Sequence, residues 1–437
     1  MYRFYVEKDS EPTVEIIKEA IETNEREKDR YEKLKNYYLG KQDILQRRRK
    51  KDINNRLVTN HCKYITDINT GYLLGSPIVY STDEGKDISK IIEAYNKQMI
   101  TNLDYDLSEG CSIAGKKFEL VYATKSKGVK SAPISPDNAI MVCDNTIEHK
   151  ELFGVVYRIS RAKYNRKYEY VRVYTDKEEI IYSDGETLKE VQRSPHYFGL
   201  VPLVEYSNNK EQIGDFEPVI PLVDAYNLLE SDRLNDKEQL VQALMLFQGA
   251  KPNPEQKDEL NEERTLYVPS GADVKYVTKE MNEEQIDILR KALENDIHKI
   301  SMTPNLNDEN FVGNSSGVAI KFKLVAFDQN IAKKERFFEQ GLRKRFELYN
   351  NYLKKKSGIA KIEPHNLNIT FKRNLPQNDL ETSQMILNLQ GLGIPQTELN
   401  AQLSFVDDPE KFMETFLREE ETNANKGAEN YGTDEAN

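Results

Sequence analysis

The sequence predicts an α+β subunit, mainly helical, with an antiparallel β region carried between helices. Three observations lead there. Residues 282–302 and 317–356 read as strong helices on either side of a polar, Asn-rich loop. Between Lys117 and Tyr206, short runs of β-branched and aromatic residues alternate with turn residues. From Asp215 onward the helical character returns.

In chain order, residues 13–38 form one charged amphipathic helix with Ile16, Ile17, Ala20, Ile21, Tyr31, Leu34 and Tyr38 on its apolar side, and Gly40 ends it. The cationic run Arg47-Arg48-Arg49-Lys50-Lys51 can bind phosphates, although such a run is ordinarily a solvated loop. Leu57–Leu74 is a further helix, stopped by Gly75-Ser76-Pro77 before a strand Ile78–Ser81, and helices near 87–98 and 101–114 follow. The expected strands are Lys117–Ala123, Ala139–Cys143, Phe153–Ser160, Tyr168–Thr175, Glu179–Ser183 and Leu200–Tyr206, with Ser183-Asp184-Gly185-Glu186 as a hairpin turn.

After Pro218 and Pro221, tolerable in a first turn, Leu222, Val223, Tyr226, Leu229, Leu240, Val241, Leu244 and Phe247 carry a helix to Gly249. Pro252 and Pro254 open a small module with β-like pieces at Thr265–Val268 and Val274–Val277. Asn282 caps the returning helix and Gln285 completes a capping box. Its Ile286, Leu289, Leu293, Ile297 and Ile300 make one narrow stripe for one packed face, and Thr303-Pro304 stops it. A module of about 30 residues on two stalks cannot bury its own core, so it is expected to pack on another chain.

The loop that follows holds Asn305, Asn307, Asn310 and Asn314 with Gly313 and Gly317, residues that tolerate unusual backbone angles and present amides instead of charges. Composition alone makes it a surface connector. Ser315 or Ser316 caps the outgoing helix, which meets no proline before Gly358 and at about 1.5 Å per residue is roughly 60 Å long. Further on come a helix Leu380–Gln390, a break at Gly391–Pro395, and a last helix capped by Asp408 with Pro409 in its first turn. From Glu419 the acidic tail reads as disordered.

A length of 437 residues allows two or three domains, and 38% hydrophobic residues is ordinary. The net charge of -11 argues against a surface that is basic throughout, but it is unevenly placed. Residues 317–356 hold eleven Lys or Arg against four Asp or Glu, whereas 407–437 hold three against ten. Cys62, Cys111 and Cys143 form no CxxC and fit buried thiols in a reducing compartment. His61, His149, His196, His298 and His365 show no zinc spacing. With no signal peptide and no apolar run near the roughly 18 residues of a membrane span, a soluble intracellular protein is expected.

Two stretches imitate catalytic motifs. Gly110-Cys111-Ser112-Ile113-Ala114-Gly115-Lys116-Lys117 resembles a phosphate-binding P-loop, but Lys117 replaces the magnesium-binding hydroxyl and a helix precedes where a strand belongs. Asp137 with Glu148 and Lys150 fits the loose PD-(D/E)xK pattern of metal-dependent nucleases, the best catalytic alternative, although a hairpin with a charged tip explains it as well. No cofactor, metal site or enzymatic activity is expected.

Several pieces in order resemble one family. They are Tyr37-Tyr38-Leu39-Gly40, Asn54-Asn55-Arg56-Leu57-Val58-Thr59-Asn60, Asp215-Phe216-Glu217, Leu222-Val223-Asp224-Ala225-Tyr226-Asn227 with Ser231-Asp232 and Asn235-Asp236, Asp308-Glu309-Asn310-Phe311 with Gly313-Asn314-Ser315-Ser316-Gly317-Val318-Ala319, and Asn374-Leu375-Pro376-Gln377-Asn378. Together they resemble portal proteins of tailed double-stranded DNA phages, over nearly the whole chain to about Arg418. The resemblance implies a ring of about twelve copies at a capsid vertex, closed through a heterologous interface, with DNA passing through its centre. It implies a wing over 1–215, stem helices over 216–248 and 282–302, a clip over 249–281 and a tunnel loop over 303–316. A long wing helix and strand would fill 317–377, a crown 378–418, and an acidic tail 419–437.

On that reading Asn305, Asn307, Asn310, Phe311, Asn314, Ser315 and Ser316 face DNA, and Lys291, Lys299, Lys321 and Lys323 are candidate tunnel cations. Every phosphate-neutralising cation adds salt-dependent grip, and ring symmetry repeats it around the bore. A loop with only Asp308 and Glu309 as charges therefore suits sliding. The implied partners are double-stranded DNA without sequence preference, the terminase large subunit, a head-completion adaptor, and major capsid and scaffold proteins, with no membrane. The location would be the virion, and the host cytoplasm during assembly. A capsid scaffold or adaptor without a channel is the further alternative.

Overall fold

The alternating segments build two main sheets. The computed structural model describes residues 3–48, 53–82, 86–124, 128–160, 167–183, 185, 187–241, 244–248, 273–277, 283–307, 317–359, 362–373, 379–400, 403, 406 and 412–419. In order come β1 (Phe4–Val6), α1 (Val14–Glu25), α2 (Lys28–Tyr38), α3 (His61–Leu74), β2 (Val79–Thr82), α4 (Ser89–Asn96), α5 (Ile100–Ala114), β3 (Lys116–Thr124) and β4 (Gly128–Ile134). Then follow β5 (Ala139–Asp144), β6 (Glu151–Ser160), β7 (Lys167–Tyr174), β8 (Glu178–Tyr182), β9 (Glu190–Pro195), β10 (Leu203–Ser207) and α6 (Ile220–Val241). The strands β11 (Leu244–Gln248) and β12 (Asp273–Val277), a return helix (Glu283–Ile300), a long helix (Gly317–Ser357), β13 (Leu367–Thr370) and helices Asp379–Gln390 and Gln396–Asn400 complete the order. The architecture is α+β.

The chain divides into two compact units. The larger, residues 1–305 with 326–373, holds both main sheets; the smaller, 306–325 with 374–437, contains the last two named helices. One sheet has six strands in the order β1-β5-β6-β7-β8-β9, antiparallel except for the parallel β1–β5 pair; the other is β10-β3-β4. Strand β5 is buried along its whole length because its alternate residues serve two cores. Ile140 and Val142 meet Ile17, Ala20 and Ile21 of α1, while Ala139, Met141 and Cys143 meet Phe118 and Leu203 of the second sheet. A third core joins Leu34 and Tyr37 of α2, Cys62 and Ile65 of α3, Val223 and Tyr226 of α6, and Ile297 of the return helix. The thiols of Cys62, Cys111 and Cys143 are all buried, and burial pushes each up to about 12.

Several expectations need correction. The helix expected over 13–38 is two helices, broken at Arg26–Glu27. Buried Asn24 explains the break: its amide donates to Pro136 O, Ala139 O and Tyr157 Oη, so α1 stops on the six-stranded sheet and α2 turns toward the helical core. The helix expected from Leu57 begins only at His61, because the preceding segment is extended and held by α6. Asn55 N donates to Asn235 Oδ1 at 2.7 Å, Leu57 N to Ser231 Oγ at 2.9 Å, and Thr59 N to Asn227 Oδ1 at 2.8 Å. The helix expected to reach Gly249 ends at Val241; Leu244–Gln248 is instead a strand paired antiparallel with β12. Its run Leu-Met-Leu-Phe is apolar at every position and so carries no helical period. The Thr265–Val268 piece, Asn282, Gly249 and the Asp408-Pro409 cap lie outside the described residues; 412–419 are helical.

The long helix runs 41 residues as its lack of proline predicts, and a buried polar cluster fastens it to the sheets and α5. Arg345 is fully buried; its Nε donates to Glu119 Oε2 at 2.8 Å and its Nη1 lies 2.6 Å from Asp104 Oδ1. Tyr206 donates to the same Glu119 oxygen at 2.6 Å, and the guanidinium lies 5.6 Å from the Tyr206 ring centre. Gly341 makes that approach possible, since a Cβ there would sit 2.4 Å from the Tyr206 ring. One cation thus serves two carboxylates, and burial pushes the Asp104 carboxyl up to about 6 against the pull of Arg345.

Candidate functional site

The return helix delivers the chain into the Asn-rich loop, and residues 301–307 form the described root of that loop. Asn305 and Asn307 belong to it. Asn310, Phe311, Asn314, Ser315 and Ser316 lie outside the described residues, as do the side chains of Lys321 and Lys323, whose backbone is in the first turns of the long helix.

The root is fixed residue by residue. Met302 takes a left-handed φ of 53°, which for a non-glycine residue costs on the order of 1 kcal/mol or more and needs surrounding contacts to persist. Those contacts come from the helix's own end and from α3. Ser301 N donates to Ile297 O at 3.1 Å and Thr303 N to His298 O at 3.1 Å, closing the last turn. Buried Thr303 accepts at Oγ1 from Asn69 Nδ2 at 2.8 Å, and its carbonyl accepts from His298 Nδ1 at 3.0 Å. Tyr64 Oη donates to Pro304 O at 3.0 Å, and Asn305 Nδ2 donates to Glu294 Oε1 at 3.1 Å. The loop therefore departs from a preset position.

Behind the root, His61 packs edge-on against Tyr226 with ring centres 4.9 Å apart and against His298 at 5.7 Å; His298 in turn meets Tyr64 at 5.5 Å. Burial, helped by neighbouring His298, holds the His61 imidazole down to about 4 from its ordinary 6.5. A depressed base is neutral in the fold while the unfolded chain binds a proton, so its contribution is complete above 6.5 and is lost as pH falls toward 4. Hydrogen exchange at the amides of 301–303, corrected for intrinsic rate, is expected to quicken between pH 7 and pH 5, and His61→Phe to remove the change. A flat response in the parent protein would take the histidine pair out of this account.

The apolar stripe of the return helix is only partly covered. Ile297 is buried and Leu293 packs in the helical core, but Leu289 is 50% exposed, Ile300 52%, and neighbouring Ile288 and Met302 62% and 51%. The expectation of one fully packed face therefore fails within a single chain. Toward the helix start, Arg233 and Lys237 of α6 both reach Glu283, so the two helices run antiparallel. Lys291 pairs with Asp287 at 2.9 Å and Lys299 is exposed two turns further on.

Neither catalytic imitation forms a site. Gly115, at φ 82°, ends α5 and abuts Gln212, where a Cβ would lie 1.9 Å from the Gln212 carbonyl oxygen. Lys116 and Lys117 then enter β3, so the order is helix to strand, the reverse of a phosphate loop. Asp137 precedes β5 while Glu148 and Lys150 follow it, which separates them by the length of a strand, about 20 Å. Carboxylates so placed cannot share a magnesium ion. What sequence reasoning missed is the anchoring set, His61, Tyr64 and Asn69, which lies on α3 more than 230 residues before the loop and carries no local signal.

Comparison with known proteins gives three findings. A family model described as phage portal protein, SPP1 Gp6-like, matches residues 17–426. The portal protein of Clostridium phage phiCD119 is 23% identical over 454 aligned positions, covering 96% of this chain and 98% of that one; the portal protein of Bacillus phage SPP1 is 24% identical over 412, covering 86% and 80%. Among solved structures, a chain from the neck of an empty GTA particle computed with C6 symmetry aligns with TM-score 0.45 and 11% identity, over 76% of this chain and 86% of that one.

Proposed function

The chain belongs to the SPP1 Gp6-like family of phage portal proteins, and from that premise we propose that its copies close into a ring at the capsid vertex, forming the channel through which double-stranded DNA is packaged and ejected. The family is structural and not enzymatic. In this reading residues 1–215 are the wing, α6 and the return helix the stem, and 303–316 the tunnel loop. The clip begins at β11, a few residues before the expected 249, and runs to 281. The long helix and β13, within 317–377, cross the wing; 378–418 form the crown and 419–437 an acidic tail.

The observation that carries the loop's role is its root. A loop that must meet moving DNA at one radius in every copy needs a fixed base, and Thr303, Pro304 and Asn305 are each held by a side chain from α3 or the return helix. The half-exposed Ile288, Leu289, Ile300 and Met302 offer the apolar surface that a neighbouring copy would cover in a head-to-tail ring. The proposed partners are the terminase large subunit and a head-completion adaptor docking at the clip, and capsid and scaffold proteins at the vertex. The protein would reside in the virion, after assembly in the host cytoplasm.

Native mass spectrometry with negative-stain imaging tests this. The expected result is a closed assembly of about twelve chains, about 600 kDa from a 50.7 kDa subunit, with an axial hole wide enough for duplex DNA. A dimer, or a large assembly with no hole, would favour a scaffold or adaptor role.

A further inference from the structure

We propose that the cleft between α4, the β3–β4 hairpin, the end of the six-stranded sheet and the last turn of the long helix is a docking site for an acidic peptide segment of a partner protein. The cleft shares no residue with the loop root, and the proposal does not depend on the channel reading.

Its volume, about 1240 Å³, exceeds the roughly 300–1,000 Å³ usual for small-molecule sites and suits a stretch of polypeptide. The floor is aromatic: Phe198 and Tyr352, both largely buried, stack with ring centres 5.7 Å apart at 28° and present only their edges to the cleft. Lys90, Lys97, Lys130 and Lys356 line the same cleft, with Glu93 and Glu179 as its carboxylates. Both carboxylates are engaged within the chain, Glu93 by Lys97 and Glu179 by Arg172. The charge offered to a ligand therefore comes from Lys90, Lys130 and Lys356, the last poised 5.6 Å from the ring centre of half-exposed Tyr197.

The walls are fixed in advance. Gln98 Nε2 donates to Val129 O at 3.1 Å while Gln98 Oε1 accepts from Ser131 N at 2.8 Å, so one side-chain amide takes the place of a paired strand on the outer edge of β4. Asn351 Nδ2 donates to Phe198 O at 2.9 Å and ties the long helix to the opposite wall. Because Gln98 already occupies that edge, a ligand cannot bind there by adding a strand. Recognition must come from side chains: carboxylates against the lysine ammoniums and an apolar or aromatic group on the Phe198–Tyr352 floor. A nucleic-acid strand carries a phosphate on every nucleotide, whereas this cleft offers three lysines beside an apolar floor, which favours a ligand that mixes carboxylates with apolar groups.

The test uses a fluorescein-labelled peptide of about eight residues, roughly 27 Å extended, that alternates glutamate with leucine and carries one central phenylalanine. A version with lysine for glutamate and an oligothymidylate of matched length are the comparisons. Saturable binding of the acidic peptide is expected, weakened at least about ten-fold in the combined variant Lys90→Glu, Lys130→Glu, Lys356→Glu, whose circular dichroism and melting should match the parent. A photoreactive analogue in place of the phenylalanine should crosslink to peptides containing Tyr197, Phe198 or Tyr352, which decides the matter even where the variant misfolds. Absent or undiminished binding, equal binding of the basic peptide, tighter binding of oligothymidylate, or crosslinks elsewhere would each overturn the proposal.

Discussion

Arg345→Ala is expected to cost the folded chain about 3–5 kcal/mol, because it strands Asp104 and Glu119 in a buried site. Arg345 is fully buried, so solvent offers no compensation. Arg345→Lys should rescue little, since one ammonium cannot reproduce the two-sided reach of a planar guanidinium. The informative control replaces all members together: Arg345→Met with Asp104→Asn and Glu119→Gln removes the unpaired charges and should recover most of the loss. The network also sets a pH response. Asp104 ionises higher in the fold than its ordinary 3.8, so the fold holds more protons than the unfolded chain between 3.8 and about 6 and this site's contribution falls as pH rises through that window. Thermal melting at pH 5 and pH 7 should show a difference that Asp104→Asn reduces. An unfolding free energy for Arg345→Ala within about 1 kcal/mol of the parent would mean that the long helix is held by its apolar contacts alone.

Deleting residues 307–314 is expected to leave ring assembly and melting intact while packaged or retained DNA falls to background. The two properties reside in different places. The anchors at Thr303, Pro304 and Asn305, and the exposed apolar residues of the return helix, all lie outside the deletion. Assembly and DNA handling should therefore part company in this variant, and electron microscopy of particles from a complementation experiment would show rings and capsids without DNA. Full packaging by the deletion variant would remove the loop from the channel reading. Loss of the ring itself would instead assign the loop to subunit contact.

The sequence made long-range order legible where one segment carries its own signal. The helix from Gly317 could be read because nothing in it breaks a helix, and β5–β7 because their apolar residues alternate or run continuously. Strand β4 was not legible, since Gly128 and Pro133 read as turn residues; an edge strand tolerates such a proline because one side of it needs no ladder partner. Strand β1 has only three residues and a parallel partner more than 130 residues away. The segment before His61 read as helical but is extended, because its backbone donors are satisfied by side chains of α6, information stored elsewhere in the chain. The Asn-rich loop was visible in composition alone, but the anchors that give it a fixed base were invisible for the same reason.

That extended segment works as a vernier. Two residues of extended chain advance about 6.6 Å while four residues of helix advance about 6.0 Å, so each successive rung slips by roughly 0.6 Å. Asn227, Ser231 and Asn235 absorb the slip over three rungs, and the hydrogen bonds stay between 2.7 and 2.9 Å. A much longer ladder would run out of tolerance, which sets a natural length for the clasp. It also makes spacing the inherited quantity: one residue inserted into α6 between Asn227 and Asn235 would turn the later rungs by about 100° and release that part of the strap, whereas exchanging one small polar acceptor for another would pass almost unnoticed.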